Sequence, residues 1–173
     1  MRIFGFAGFS GSGKTTLIEQ LIPRFVLQGI RVSLVKHAHH AFDIDRPGKD
    51  SYRHREAGAS EVLITSAQRW VLMRELRDEP EPSLERQLQR LSACDLVLVE
   101  GFKRAGIPKI EVYRPSLGNP LLHPQDANIV AVAADGFVDT ALPVLDLNDP
   151  DSITAYICNY LDDSSETRSA VVR

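Results

Sequence analysis

The sequence predicts an α/β fold, a mostly parallel, doubly wound sheet with helices on both faces and one extra β-hairpin. Two observations carry that expectation. Short runs rich in Val, Ile and Leu alternate along the chain with segments of helical apolar spacing. The first such run, Arg2–Ala7, passes through Gly8-Phe-Ser-Gly-Ser-Gly-Lys-Thr15 directly into Thr16-Leu-Ile-Glu-Gln-Leu-Ile22, so a strand, a glycine-rich turn and a helix follow one another without a gap.

Each element has its own signal. Arg2–Ala7 is the first strand. Leu17, Ile18, Leu21, Ile22 and Phe25 form one face of the first helix, which ends near Gly29 and which Pro23 should kink or shorten. Arg31–Val35 is the second strand, and Lys36 to Asp50 a long polar loop closed by Pro47-Gly48. Ser51–Ala57 suits a short helix ending at Gly58. Glu61–Thr65 and Arg69–Arg74, separated by Ser66-Ala-Gln68, read as a hairpin. After the connector Asp78–Pro82, Leu84, Leu88 and Leu91 mark a helix with Ser83 as its N-cap. Asp95–Val99 is almost continuously apolar, as in a strand buried on both faces.

Lys109–Tyr113 alternates, as a strand with one polar face does. A proline-rich loop from Pro115 to Pro124 precedes the strand Ile129–Ala133, and Pro143–Leu145 is a further short strand. The last helix opens at Pro150 and carries Ile153, Tyr156, Ile157, Tyr160 and Leu161 on one face. Periodicity stops at Asp162. Residues 1–161 are therefore expected to form one domain and residues 162–173 a mobile tail.

Composition narrows the function classes. At 173 residues, 43% hydrophobic and 25% charged, the chain suits one ordinary globular domain. A net charge of −3 disfavours a general nucleic-acid binder. Cys94 and Cys158 are far apart and form no CxxC pair, which points to a reducing cytoplasm. No apolar run approaches the ~18 residues of a membrane span, and the apolar start leads into the glycine-rich turn rather than a cleavage site.

Residues 8–15 match the whole G-x-x-x-x-G-K-[ST] phosphate loop, which makes the expected fold a P-loop NTPase. Gly8, Gly11 and Gly13 turn the chain so that backbone N–H groups of Ser10, Ser12 and their neighbours point inward around a phosphate. The helix beginning near Thr16 adds partial positive charge there. Lys14 reaches the β- and γ-phosphates, and the Thr15 hydroxyl is a Mg²⁺ ligand. An acidic partner is expected at the carboxyl end of a neighbouring buried strand, where ligands of open α/β sheets sit. Glu100-Gly101 supplies it, either holding Mg²⁺ or orienting water; a surface strand end is the alternative.

The segment Lys36–Arg55 holds His37, His39, His40 and His54, four of the five histidines. It reads as a metal-binding run, as a solvated loop, or as a switch segment. In the last reading Asp43, Asp45 or Asp50 approaches the metal or the attacking water, while Lys36, His37, Arg46 and Lys49 face phosphate. The Asn-Lys-x-Asp guanine signature is absent. Asp135, at the end of the strand from Ile129, stands nearest to that position and is either a base reader or part of a turn.

Five segments, Gly8–Thr16, Val35–His40, Asp45–Ser51, Gln68–Trp70 and Leu98–Lys103, together resemble the molybdopterin-guanine dinucleotide biosynthesis protein B (MobB) family over residues 2 to 160. The resemblance implies a GTP-binding protein with Mg²⁺ and feeble GTPase activity. It also implies a homodimer that serves a MobA-type guanylyltransferase as adapter or nucleotide supplier and lies close to molybdopterin. Lys14, Thr15 and Glu100 carry over as nucleotide and Mg²⁺ residues. The competing readings are a small-molecule kinase using ATP and a nucleotide-gated metallochaperone.

Overall fold

In chain order the elements are β1 (Arg2–Ala7), α1 (Lys14–Leu27), β2 (Val32–Lys36), α2 (Asp50–Glu56), β3 (Glu61–Thr65), β4 (Trp70–Arg74), α3 (Leu84–Leu88), β5 (Leu96–Glu100), β6 (Lys109–Tyr113), β7 (Ile129–Ala134), β8 (Val144–Asp146) and α4 (Pro150–Ala170). The structure, a computed structural model, describes residues 1–38 and 42–170. Where the sequence suggested no internal boundary, the fold divides into two compact units: Met1–His37 with Leu84 onward, and Ala38–Ser83.

The first unit is built on a six-stranded sheet in the order β2-β5-β1-β6-β7-β8. Every pairing in it is parallel. Alternation along each strand supplies its two apolar faces. Phe4, Phe6, Leu96, Leu98, Ile110 and Val112 face α1 and α4, packing with Leu21, Phe25, Ile153 and Ile157. Val97 and Val99 point the other way, onto Leu84 and Leu88 of α3. Each such side chain contributes roughly 1.5–3 kcal/mol by leaving water. Phe4 also meets Tyr160 edge to face, with ring centres 5.9 Å apart, which ties α4 to the central strand.

Three local features go beyond what the sequence alone conveyed. Helix α1 is not shortened at Pro23 but runs through it to Leu27. Pro23 is exposed while Leu21 and Phe25 on either side are fully buried, so the lost hydrogen bond falls on the solvent side. The helix ends in a turn where the Ile30 N–H reaches the Phe25 carbonyl (3.1 Å) and Gly29 takes φ +78°.

Strand β6 has no solvent face, because Lys109 and Glu111 are buried. The Lys109 ammonium pairs with Asp126 and reaches the Lys103 carbonyl. Glu111 accepts from the amides of Leu122 (2.7 Å) and His123 (3.0 Å). The proline-rich loop thus covers the polar side of the strand and satisfies it. Helix α4 also continues to Ala170, beyond the last apolar position at Leu161. Residues 162–170 contain neither Gly nor Pro, so nothing in them breaks a helix already begun.

In the second unit, α2 packs beside the antiparallel hairpin β3–β4. Arg55 is its hub, donating to Glu75 (2.6 Å) and Asp43 (2.7 Å) and lying over the Tyr52 ring. The hairpin register sets Leu63 opposite Leu72 and Thr65 opposite Trp70, on one face. Met73, on the other face, is buried, whereas Leu63 and Trp70 are 61% and 64% exposed. No helix among the described residues is long and apolar enough to cross a membrane.

Candidate nucleotide site

The carboxyl ends of β1, β2 and β5 converge at the loop 8–15. Gly8 takes φ +148°, Gly11 +79° and Gly13 +96°, conformations that side-chain-bearing residues rarely adopt. Gly8 is also needed for space, whereas Gly13 faces only the end of a flexible side chain. A Cβ on Gly8 would lie 2.5 Å from the Val112 carbonyl oxygen, and one on Gly13 would lie 3.3 Å from the Arg114 guanidinium. Ser12 is buried beneath the loop, while Ser10 and Gly11 form its exposed tip and Thr16 lies exposed on the first turn of α1.

Lys14 folds back over its own loop. Its ammonium donates to the carbonyls of Phe9 (2.8 Å) and Gly8 (3.0 Å), with the Ser12 hydroxyl at 3.5 Å. Partial burial lowers its pKa from the usual lysine value; Glu100 opposes that shift, and Lys103 and Lys36 add to it. An ammonium held this way is poised for an anion. Lys103 itself lies 4.8 Å over the Phe9 ring.

Strand register assembles the acidic side. Glu100 stands opposite Phe6 of β1 and opposite Lys36 of β2. It is only 6% exposed. The Thr15 hydroxyl donates to its Oε1 at 2.8 Å, and the Lys36 ammonium lies 3.3 Å from its Oε2. Gly101, at φ +100°, lets the next strand end approach, since a Cβ there would meet the His37 carbonyl oxygen at 2.9 Å. The His37 amide donates to the Glu100 carbonyl (2.9 Å), and its ring lies 5.0 Å from that of Phe102. One hydroxyl and one carboxylate side by side are hard oxygen donors of the kind Mg²⁺ takes alongside phosphate oxygens. The residues therefore fit that metal.

The structure brings Lys14, Thr15, Lys36, His37 and Glu100 together. Asp135 lies elsewhere on the same sheet edge, in a cavity of about 380 Å³ between the ends of β7 and β8 that Gly136, Asp146 and Asn148 also line. Asp135 takes a hydrogen bond from Arg114 at 2.6 Å, and the same guanidinium donates to the Ser12 carbonyl at 3.2 Å. Arg114 is the residue the motifs did not reveal. It follows β6, which pairs with β1, and so joins the phosphate loop to the cavity.

Asp45 and Asp50 belong to the second unit. There the Asp45 carboxylate accepts from the Ser51 hydroxyl and the Arg46 amide, both at 2.9 Å, and sits 3.5 Å from Arg55. Exposed Asp50 accepts the Ser51 amide at the start of α2. His39 and His40 lie outside the described residues, and among the described ones no group of three or more His, Cys, Asp or Glu side chains is arranged to hold a metal.

Comparison with known proteins follows the same lines. The family model described as molybdopterin guanine dinucleotide synthesis protein B matches residues 3–135. The molybdopterin-guanine dinucleotide biosynthesis adapter protein of Escherichia coli K12 is 42% identical over 162 residues, 92% of this chain and 93% of that protein. The adapter protein of the same name from Haemophilus influenzae is 43% identical over 163 residues, covering 92% and 89%. A crystal structure of molybdopterin-guanine biosynthesis protein B superposes with a TM-score of 0.72 at 29% identity, covering 92% of this chain and 99% of that one.

Proposed function

The chain belongs to the molybdopterin guanine dinucleotide synthesis protein B family, and from that premise we propose that it is a GTP-binding adapter in molybdopterin guanine dinucleotide synthesis. The observation that carries this reading is the 2.8 Å hydrogen bond between Thr15 and Glu100 at the foot of a complete phosphate loop. The loop amides and Lys14 hold the β- and γ-phosphates, and Thr15 with Glu100 hold Mg²⁺. Bound there, the metal neutralises charge on the phosphates. The nucleotide is held chiefly for presentation to a MobA-type guanylyltransferase, with molybdopterin nearby. Cys94 and Cys158 are free thiols, in keeping with the cytoplasm.

Titration with GTP, ATP and their diphosphates, with and without Mg²⁺, tests the reading. GTP binding tighter than ATP binding is expected; a clear preference for ATP with rapid phosphoryl transfer sinks it in favour of a kinase. Basal hydrolysis is slow, well below the roughly 1–100 per second of kinases, because Arg114 is held by Asp135 and Ser12. Glu100→Gln keeps the nucleotide and lowers hydrolysis by about tenfold or more, since the amide retains shape but loses charge. Equal turnover would give the carboxylate a structural role. Of the two other carboxylates read as catalytic, Asp45 is engaged by Ser51 and Arg46, and Asp50 is exposed.

The cavity between β7 and β8 takes the base. Guanine offers N–H donors that a carboxylate accepts, and Asp135 lines the cavity with one oxygen held by Arg114. Asp135→Asn weakens GTP by about tenfold, in line with loss of a charged hydrogen bond, and leaves ATP unchanged; equal losses for both would remove the base assignment.

The exposed hairpin face bearing Leu63, Trp70 and Leu72 is the surface of a homodimer. Light scattering across a dilution series gives twice the chain mass. Trp70→Glu with Leu72→Glu gives the monomer mass, and a dimer untouched by both changes places the interface elsewhere.

A further inference from the structure

The Lys36 ammonium lies 3.3 Å from Glu100 Oε2 and 3.4 Å from Thr15 Oγ1. Those are the two groups that suit a metal ion. The placement is built into the sheet, because β2 pairs with β5 in a register that sets Lys36 opposite Glu100. A shift of one residue would send this side chain to the other face. Glu100 is buried, with Oε1 taken by Thr15 and Oε2 facing Lys36, so the carboxylate is fully partnered by the chain itself. Lys14 is also within electrostatic reach of Glu100, and of Lys36 and Lys103, so positive charge exceeds negative at this loop. Such a surplus of positive charge suits a polyphosphate that arrives without its metal.

We propose that Lys36 is an internal counter-cation that occupies the metal position between Thr15 and Glu100, so that this chain binds nucleotide nearly independently of Mg²⁺. The proposal rests on the nucleotide reading of the site. When the metal does enter, the ammonium leaves Glu100 and turns to the phosphates, the nearest competing anions. Lys36 is thereby the residue that sets how much binding owes to the metal.

Calorimetric titration of the full chain with GTP, in EDTA and in millimolar Mg²⁺, tests this. In the wild-type protein Mg²⁺ changes the GTP affinity by less than about threefold. In Lys36→Met, metal-free affinity falls by about tenfold and Mg²⁺ restores it, as expected when one cation at ~3–4 Å replaces another. Lys36→Gln, which keeps a polar end at this half-exposed position, gives the same pattern. Circular dichroism melting shows both variants folded. Wild type and both variants with the same Mg²⁺ dependence would overturn the proposal while leaving the nucleotide site standing. No GTP binding by the wild type under either condition would remove the nucleotide reading and the proposal together.

Discussion

Lys14→Ala abolishes measurable GTP binding and leaves the melting temperature unchanged or slightly higher. The ammonium is held by loop acceptors alone, the carbonyls of Gly8 and Phe9 and the Ser12 hydroxyl, so no packed side chain loses a neighbour. Its pKa is lowered first by burial, which means the folded protein already holds this charge at a cost. A bound phosphate repays that cost and the alanine variant cannot. Two charge-assisted hydrogen bonds at about 1.5–3 kcal/mol each amount to a loss of about a hundredfold or more. Fluorescence or calorimetric titration measures it, and unchanged affinity would remove the phosphate-loop assignment altogether.

Gly8→Ala has the second largest effect and acts on structure as well as binding. Its Cβ would approach the Val112 carbonyl oxygen to 2.5 Å and the Ser12 hydroxyl to 2.7 Å at φ +148°. The serine can rotate. Val112, in β6 and paired with Ala133 of β7, cannot withdraw without disturbing the sheet. Overpacking and backbone strain together cost about 2–5 kcal/mol, and the loop either lifts away from β6 or does not close. Urea denaturation should show the loss, and GTP binding should vanish. Gly11→Ala is the informative control: at φ +79° it meets nothing within 4 Å, so it carries only the left-handed penalty of about 1–2 kcal/mol. Equal behaviour of the two variants would mean that the close approach to Val112 is not what Gly8 supplies.

Local pattern made much of this molecule legible. The phosphate-loop motif is contiguous, and its glycines, lysine and threonine stand together in the fold as they do in the sequence. The strands of the main sheet are apolar enough to read directly, and Glu100 was visible as the acidic end of the most apolar of them. What pattern could not convey was strand order. Parallel strands are joined by long crossovers, so nothing local says that β5 lies between β1 and β2 or that Lys36 therefore faces Glu100. Arg114 was hidden for the same reason, since it matters only because β6 lies beside β1.

Periodicity revealed the polar face of β6 but not what covers it. Lys109 and Glu111 alternate like a solvent face, but Asp126 and the amides of Leu122 and His123 meet them from a loop that has no periodicity of its own. The separateness of residues 38–83 was equally unreadable, because a hairpin and a short helix carry the same local signals inside a domain as in a unit of their own.

The strand order also governs how this protein is born. Among the described residues β1 pairs only with β5 and β6, and β2 only with β5. As the chain emerges from the ribosome, neither strand can find an edge to join until residues from Leu96 onward are out. During that interval the hairpin β3–β4, with partners close in sequence, is the one strand pairing open to the nascent chain. Phe4, Phe6 and Val35 meanwhile wait without a sheet to enter, a window in which synthesis speed and chaperone access decide yield. Slowing translation just after β5 and β6 have emerged would help this protein, whereas a pause before Leu96 would leave β1 and β2 unpaired for longest.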